Sequence, residues 1–232
     1  MAEYVAASIP TEIVLGLGSG TTAVAVVQAL ARRKAQEPTF TFTGVATSVS
    51  TANLATSLGF QIRDLSDVDF IDLGFDGADE IDPHLNVVKG KGAALLYEKL
   101  VACVCRDYWI VSTDEKVVDK LGTRMPLPVE VIPYGWVHTA KRLKALGLTP
   151  KLRELDGVPV KTDAGNVILD CGHDPGVEII AIHSQIKATT GVVEHGIFPG
   201  LAKCAFVVDP DGVVRELRPE PTFCAERPHS IP

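Results

Sequence analysis

Basic side chains are in the minority in this chain of 232 residues, which has 22 Lys and Arg against 29 Asp and Glu. The formal net charge of −7 leaves no overall basic field that would attract nucleic acid or anionic lipid. We therefore expect neither a nucleic-acid partner nor a membrane partner. Local basic residues remain available to bind a small anion.

Long apolar runs are also lacking, and we expect no secretory leader. The apolar runs fall far short of the roughly 20 residues that cross a bilayer, and no basic segment followed by an apolar core opens the chain. The five cysteines are an odd number without metal-like spacing: Cys103, Cys105, Cys171, Cys204 and Cys224. A disulfide framework is therefore the weaker interpretation, and we expect a soluble cytoplasmic protein.

The composition, 46% hydrophobic and 22% charged, is close to that of globular proteins. In the first half of the chain, short apolar runs alternate with helix-like segments. This pattern predicts strands at 13–17, 40–45, 70–75 and 108–112 and helices at 23–31, 51–58 and 93–104. We expect Ser50 to cap the second of these helices. Such alternation is typical of an α/β fold, a parallel sheet with helices on both faces.

The pattern changes after Pro126 and Pro128. It then predicts strands at 129–132, 152–154, 158–161, 167–171 and 192–198, with helices at 137–146 and 177–188. We therefore predict a second, smaller α+β domain over 126–201. It would follow an α/β catalytic domain over 1–125, which a hairpin within 202–218 completes. We expect 219–232, which is rich in proline, to be a loose tail.

A glycine-rich loop, Gly18-Ser19-Gly20-Thr21-Thr22, follows the first predicted strand and leads into a helix. Backbone N–H groups and the positive helix end make such a junction suitable for an anion. The loop lacks the G-x-G-x-x-G spacing of dinucleotide sites and the Lys-Ser/Thr of a P-loop. We interpret it as a site for a small phosphorylated ligand; the alternative is a tight turn that needs glycine for geometry alone.

An acidic run follows the third predicted strand, with carboxylates at Asp76, Asp79, Glu80 and Asp82. Open α/β sheets place their ligand crevices at the carboxyl ends of such strands, which favours a binding role over a solvated loop. Magnesium or calcium is a second possibility, because clustered carboxylates suit both ions. However, the calcium-loop pattern is absent, and Lys89 would compete with a cation.

Glu98 and Lys99 are the only charged residues between Gly92 and Cys105. On a helical wheel Glu98 lies beside Ala94 and Ala102, and partly apolar surroundings raise the pKa of a carboxyl, as a general base working near neutrality requires. The alternative is a single charged side chain that reaches solvent from an apolar helix.

Five blocks occur in order: G-L-G-S-G-T-T-A, T-S-V-S-T, D-G-A-D-E-I-D, K-G-K-G-A-A-L-L-Y-E-K and P-L-P-V-E-V-I-P. Together they resemble the signature of the type A ribose-5-phosphate isomerases. The similarity continues through G-N-V-I-L-D and G-V-V-E-H-G-I-F and so covers nearly the whole chain.

The resemblance implies a cofactor-free, metal-independent aldose–ketose isomerase of the pentose phosphate pathway, a homodimer or homotetramer, that works through an enediolate. By motif position, Glu98 would be the base and Lys89 would stabilise the oxyanion, while Asp76 and Asp79 would hold sugar hydroxyls and assist ring opening. The implied substrate-binding residues are Ser19, Gly20, Thr21, Thr22, Asp76, Gly77, Ala78, Asp79, Lys89, Gly90, Lys91, Gly92 and Lys116.

Two departures from the family pattern stand out. Lys91 replaces a usual glycine and would be strained if its φ were positive, and residues 2–7 resemble only the second half of the family's first helix. Two other functions remain open. One is a related sugar-phosphate enzyme, such as an amino-sugar-phosphate deaminase, and the other is a sugar-phosphate sensor without turnover.

Overall fold

The structure, a computed structural model, describes residues 1–174 and 176–219. Its strands are β1 Ile13–Leu17, β2 Phe42–Ala46, β3 Gln61–Ile62, β4 Ile71–Asp76, β5 Glu80–Ile81, β6 Val87–Val88, β7 Cys105–Thr113, β8 Leu127–Val131, β9 Leu148–Leu152, β10 Glu154–Leu155, β11 Val158–Pro159, β12 Val167–His173, β13 Val192–His195, β14 Ile197–Phe198, β15 Cys204–Val208 and β16 Val214–Leu217. Its α-helices are α1 Ala2–Ser8, α2 Gly20–Gln36, α3 Val49–Ser57, α4 Leu95–Val104, α5 Trp136–Lys144 and α6 Ile179–Lys187. Short 3-10 turns lie at Leu65–Asp67 and Asp114–Lys116.

Seven strands form the main sheet, in the order β16-β15-β7-β4-β1-β2-β3. Neighbouring strands are parallel except for the hairpin of β15 and β16. The predicted α/β fold is thus confirmed, and the hairpin returns to the first sheet as expected. Because β1 is paired in parallel with both β2 and β4, the carboxyl ends of these three strands lie side by side at one end of the sheet. Such sheets bind ligands at that end.

A second sheet has the order β13-β8-β12-β9, and all of its pairings are antiparallel. Its strands lie between Leu127 and His195, and its core includes Val129, Leu143, Leu169 and Ile186. The division into domains at 125 and 201 stays a prediction, since a small third sheet pairs β14 with β6 and β6 with β5, across that boundary.

Several predicted boundaries were wrong. Ser48, and not Ser50, caps α3, because its hydroxyl accepts a hydrogen bond from the Thr51 N–H at 3.1 Å. The predicted strand 192–198 is interrupted at Gly196, and α2 extends well past the predicted 23–31. The predicted loose tail lies outside the described residues except for Pro219.

The four cysteines that the structure describes are free thiols: Cys103, Cys105, Cys171 and Cys204. Among the described helices, none combines the length and apolar character that a bilayer span requires.

Candidate active site

A cavity of about 490 Å³ opens at the carboxyl ends of β1, β2 and β4. It is lined by Ser19, Gly20, Thr21, Thr22, Ser48, Ser50, Gly77, Ala78, Asp79, Lys89, Gly90, Lys91, Gly92, Ala94, Glu98 and Lys116. The structure therefore brings together at one cavity every site residue predicted from the sequence except Asp76, which lies fully buried at the carboxyl end of β4.

The glycine-rich loop passes close over the end of β4. The Ser19 N–H donates to Asp76 Oδ1 at 3.0 Å. A Cβ atom at Gly18 would lie 2.4 Å from that same oxygen and 2.5 Å from the Phe75 carbonyl oxygen, so no side chain fits there. At Gly20, where α2 begins, a Cβ would meet nothing within 4 Å. The loop thus needs glycine at Gly18 for close approach, and it also leaves the N-terminus of a 17-residue helix facing open space.

A buried ion cluster forms the inner end of the cavity. Lys89 Nζ lies 3.2 Å from Asp76 Oδ2 and 3.4 Å from Glu98 Oε1, and it donates to the Gly77 carbonyl at 2.6 Å. Lys89 and Glu98 are 3% and 5% exposed, so all three charged groups are largely removed from water. Asp76 Oδ2 and Glu98 Oε2 have no hydrogen-bond partner among the described residues. Glu98 lines the cavity, so its Oε2 can accept a proton there, whereas Asp76 Oδ2 faces the Lys89 ammonium.

The pKa values of these groups are displaced in ways that suit acid–base work. Burial raises the pKa of Glu98 to about 8, against the lowering effect of the Lys89 charge, and the charge of Asp76 raises it further. Burial also raises the pKa of Asp76, although Lys89 and the N–H groups of Gly77 and Ser19 oppose that effect. For Lys89, burial acts to lower the pKa, but the surrounding carboxylates outweigh it and the pKa is raised. Lys89 is consequently a fixed positive charge beside a base poised near neutral pH.

The carboxylates of the acidic run lie in two different environments. Asp79 lines the cavity, and Asp76 lies buried behind it, paired with Lys89. In contrast, buried Glu80 accepts hydrogen bonds from the N–H groups of Gly122, Arg124 and Met125. Asp82 likewise accepts from the N–H groups of His84 and Asn86. Glu80 and Asp82 therefore hold loops in place, which gives part of the acidic run a structural cause.

In the Lys89–Gly92 turn the positive φ falls at a glycine, which adopts it without strain, and not at Lys91. Gly90 has φ of 113°, whereas Lys91 is not among the residues with positive φ. The Lys91 N–H donates to Asp79 Oδ2 at 3.0 Å. The departure from the family's glycine therefore costs no backbone strain, and the exposed Lys91 side chain adds a positive charge to the cavity.

Sequence reasoning missed several residues of this site. Ser48, Ser50 and Ala94 line the cavity but were not predicted to do so. The hydroxyl-rich end of the second strand was a signal for both serines. Tyr108, on β7, is not among the lining residues. Its hydroxyl is buried without a hydrogen-bond partner among the described residues, and burial, together with the charges of Asp76 and Glu98, raises its pKa.

Known proteins of one family are similar to this chain. Residues 43–212 match the family model described as ribose 5-phosphate isomerase A (phosphoriboisomerase A). The chain belongs to this family. The ribose-5-phosphate isomerase A of Roseiflexus sp. (strain RS-1) is 43% identical over 92% of both chains. That of Chloroflexus aurantiacus is 45% identical over 87% of this chain and 84% of its own length.

Solved structures of the family share the fold. The ribose 5-phosphate isomerase A of Methanocaldococcus jannaschii superposes with a TM-score of 0.87 at 31% identity, covering 94% of this chain and 96% of that one. A D-ribose-5-phosphate isomerase in complex with phospho-erythronic acid gives a TM-score of 0.88 at 33% identity, covering 94% and 95%. Family, fold class and isomerase function, as predicted from the sequence, are thereby confirmed. The deaminase and sensor alternatives are not favoured.

Proposed function

We propose that this chain interconverts D-ribose 5-phosphate and D-ribulose 5-phosphate through an enediolate, with Glu98 as the base. The observation that carries the proposal is the buried cluster of Asp76, Lys89 and Glu98 at the inner end of a cavity that a helix N-terminus also faces. A base, a fixed positive charge and an anion site are the three parts that isomerisation of a sugar phosphate requires.

The reaction follows from these positions. Glu98 removes the proton on C2 of the open-chain aldose, the electrons pass into the C1–C2 bond, and negative charge develops on the C1 oxygen. Lys89 stabilises that oxyanion because it is already charged and desolvated beside the reacting carbons. The proton that Glu98 holds is then delivered to C1, and the C2 hydroxyl proton passes to the C1 oxygen. This leaves a hydroxyl group on C1 and the ketone at C2. Asp76 and Asp79 accept hydrogen bonds from sugar hydroxyls and assist the proton transfer that opens the sugar ring.

The phosphate is proposed to bind at the N-terminus of α2. Ser19, Thr21 and Thr22 supply hydroxyls there, and Lys116 lines the same cavity on the 3-10 turn after β7. Backbone N–H groups of a helix end favour a bound anion. A flexible lysine adds charge that acts on the phosphate throughout the reaction.

A direct assay tests the proposed activity. Purified protein mixed with ribose 5-phosphate is expected to form ribulose 5-phosphate, followed by the absorbance of the ketose. We expect the rate to survive exhaustive chelation, because Lys89 takes the place of a divalent ion beside the oxyanion. Absence of product would contradict the proposed function, and loss of activity that one added metal restores would contradict the metal-independent mechanism.

Lys116→Ala is expected to raise KM for ribose 5-phosphate and to change kcat little, since the phosphate is bound equally in the ground and transition states. Steady-state kinetics of the variant measure this split. Lys144→Ala, at an exposed position on α5, is the matched control and should leave both constants unchanged. A fall in kcat at constant KM would instead place Lys116 at the reacting carbons.

We also propose that the protein works in the cytoplasm as a homodimer or homotetramer, as the family resemblance implies. The free thiols of the described cysteines support a reducing compartment. Sedimentation equilibrium measures the assembly directly, and a monomer at micromolar concentration would contradict it.

A further inference from the structure

Arg153 lies outside the cavity, in the segment between β9 and β10, yet its side chain reaches the turn that carries Lys89. Its backbone is held on both sides. Its N–H donates to the carbonyl of Ile168, on β12 of the second sheet, at 2.9 Å, and its carbonyl accepts from the N–H of Val160, just after β11, at 3.0 Å. The side chain is 15% exposed. A fixed, largely buried arginine therefore joins this sheet to the catalytic turn.

The guanidinium nitrogens of Arg153 have two sets of partners, the Asp170 carboxylate and the backbone of the Lys89–Gly92 turn. Nε donates to Asp170 Oδ2 at 2.9 Å, and Nη2 pairs with Asp170 Oδ1. This fork fixes the orientation of the guanidinium plane. Nη1 then donates to the carbonyl oxygens of Gly90 and Lys91, at 2.8 and 2.9 Å.

One peptide group connects Arg153 with the cavity. The Gly90 carbonyl that accepts from Arg153 and the Lys91 N–H that donates to Asp79 Oδ2 belong to the same planar unit. In a trans peptide these two groups point in opposite directions, so fixing the carbonyl fixes the direction of the N–H. Hydrogen bonds in such a chain also polarise one another. Among the described residues, this N–H is the hydrogen-bond donor to the Asp79 carboxylate.

We propose that Arg153 is a positioning residue for Asp79, acting through the Gly90–Lys91 peptide and held in place by Asp170. Asp79 is half-buried and lines the cavity, so its carboxylate would otherwise choose among several rotamers. The inference rests on the proposed function, in which that carboxylate holds sugar hydroxyls. It gives the region 126–201 a contribution to catalysis, through orientation of a group and not through contact with substrate.

Arg153→Met is expected to lower kcat/KM for ribose 5-phosphate by roughly 10- to 10²-fold, the scale of loss when a substrate-holding group moves by about 1 Å. Arg142→Met, an exposed arginine on α5, is the matched control and should retain wild-type kinetics. Arg153→Lys keeps the charge and protects folding if the Met variant does not fold. It cannot reproduce the fork to Asp170 together with both carbonyl bonds, so it should also lose activity.

A double-mutant cycle with Asp79→Ala separates positioning from general stability. If Arg153 acts through Asp79, the loss from Arg153→Lys or Arg153→Met should largely vanish in the Asp79→Ala background. Equal losses in both backgrounds, or wild-type kinetics in both Arg153 variants, would overturn the proposal.

Amide hydrogen exchange gives a readout that does not depend on turnover. The Lys91 N–H should exchange faster in Arg153→Lys than in the wild-type protein, while the β4 amides keep their protection. Unchanged exchange at Lys91 would overturn the proposal. If the wild-type protein fails to isomerise ribose 5-phosphate, the proposed function fails, and this exchange experiment still decides whether Arg153 orders the turn.

Discussion

Glu98→Gln is expected to lower kcat by roughly 10²–10⁴-fold, the usual contribution of a positioned base. Glutamine keeps the size and hydrogen-bonding capacity of the side chain but cannot accept the C2 proton. Glu98 is 5% exposed on α4, and its Oε2 has no partner among the described residues, so the substitution breaks no other hydrogen bond of that oxygen. The other oxygen lies 3.4 Å from Lys89 Nζ, and the amide oxygen of glutamine can still accept from that ammonium, so substrate affinity and melting temperature should change little. Exchange of the C2 hydrogen with solvent deuterium should slow in parallel with kcat.

The pH profile identifies the group directly. Because burial raises the pKa of Glu98 to about 8, its basic form grows as the pH rises toward that value. Wild-type kcat/KM should consequently increase with pH up to about 8 and then level off, and this limb should be absent from Glu98→Gln. Glu154→Gln, at an exposed position on β10, is the control. Near-normal turnover in folded Glu98→Gln would contradict the mechanism and make Asp76 or Asp79 the next candidate base.

Lys89→Met is expected to lower kcat/KM by roughly 10²–10³-fold, the loss seen when one stabiliser of a developing oxyanion is removed. Methionine has a similar length but no charge. Lys89 Nζ lies within 3.4 Å of both Asp76 and Glu98, so its removal leaves two buried carboxyl groups without their counter-ion. These groups can take up protons, which relieves the repulsion but inactivates Glu98 as a base.

The same variant should shift the pH profile. The Lys89 charge lowers the pKa of Glu98, so without it the pKa rises above about 8 and the ascending limb moves to higher pH. Kinetics from pH 6 to 10 measure both effects, with Lys144→Met as the exposed control. A Lys89→Met protein with an unshifted profile would show that Glu98 does not titrate in the catalytic step. Melting curves at each pH establish that the variant is folded where it is assayed.

Much of this site could be predicted because each part is local in sequence. The strand, the glycine loop and the helix that follow one another from Ile13 to Gln36 form one unit, and the loop composition alone indicates an anion site. Glu98 stands out in the sequence because a single carboxylate on an apolar helix is costly to bury without a charged or hydrogen-bonding partner. Its assignment as the base rests on the family resemblance, and the structure shows it buried at the cavity.

Other features depend on contacts between distant segments and could not be predicted. The strand order around β1 is set by pairing across the whole chain. Strands β5 and β6 have two residues each, too few to show a period. Glu80 and Asp82 look like Asp79 in sequence, but they bind loop N–H groups whose positions only the fold defines. Ser48 and Ser50 are both reasonable helix caps, and the backbone conformation of Ser48 decides between them.

The close approach of Gly196 to Lys89 affects how this protein can be divided. The Lys89 N–H donates to the Gly196 carbonyl at 2.8 Å, and a Cβ at Gly196 would lie 2.1 Å from the Lys89 carbonyl oxygen. The four proposed catalytic side chains come from the first 125 residues: Asp76, Asp79, Lys89 and Glu98. The backbone of Lys89, however, is hydrogen-bonded to Gly196, much later in the chain. A chain truncated before 126 would keep all four catalytic side chains but lose the Gly196 backbone that positions Lys89. The region 126–201 therefore cannot be removed without removing the backbone contact that holds Lys89.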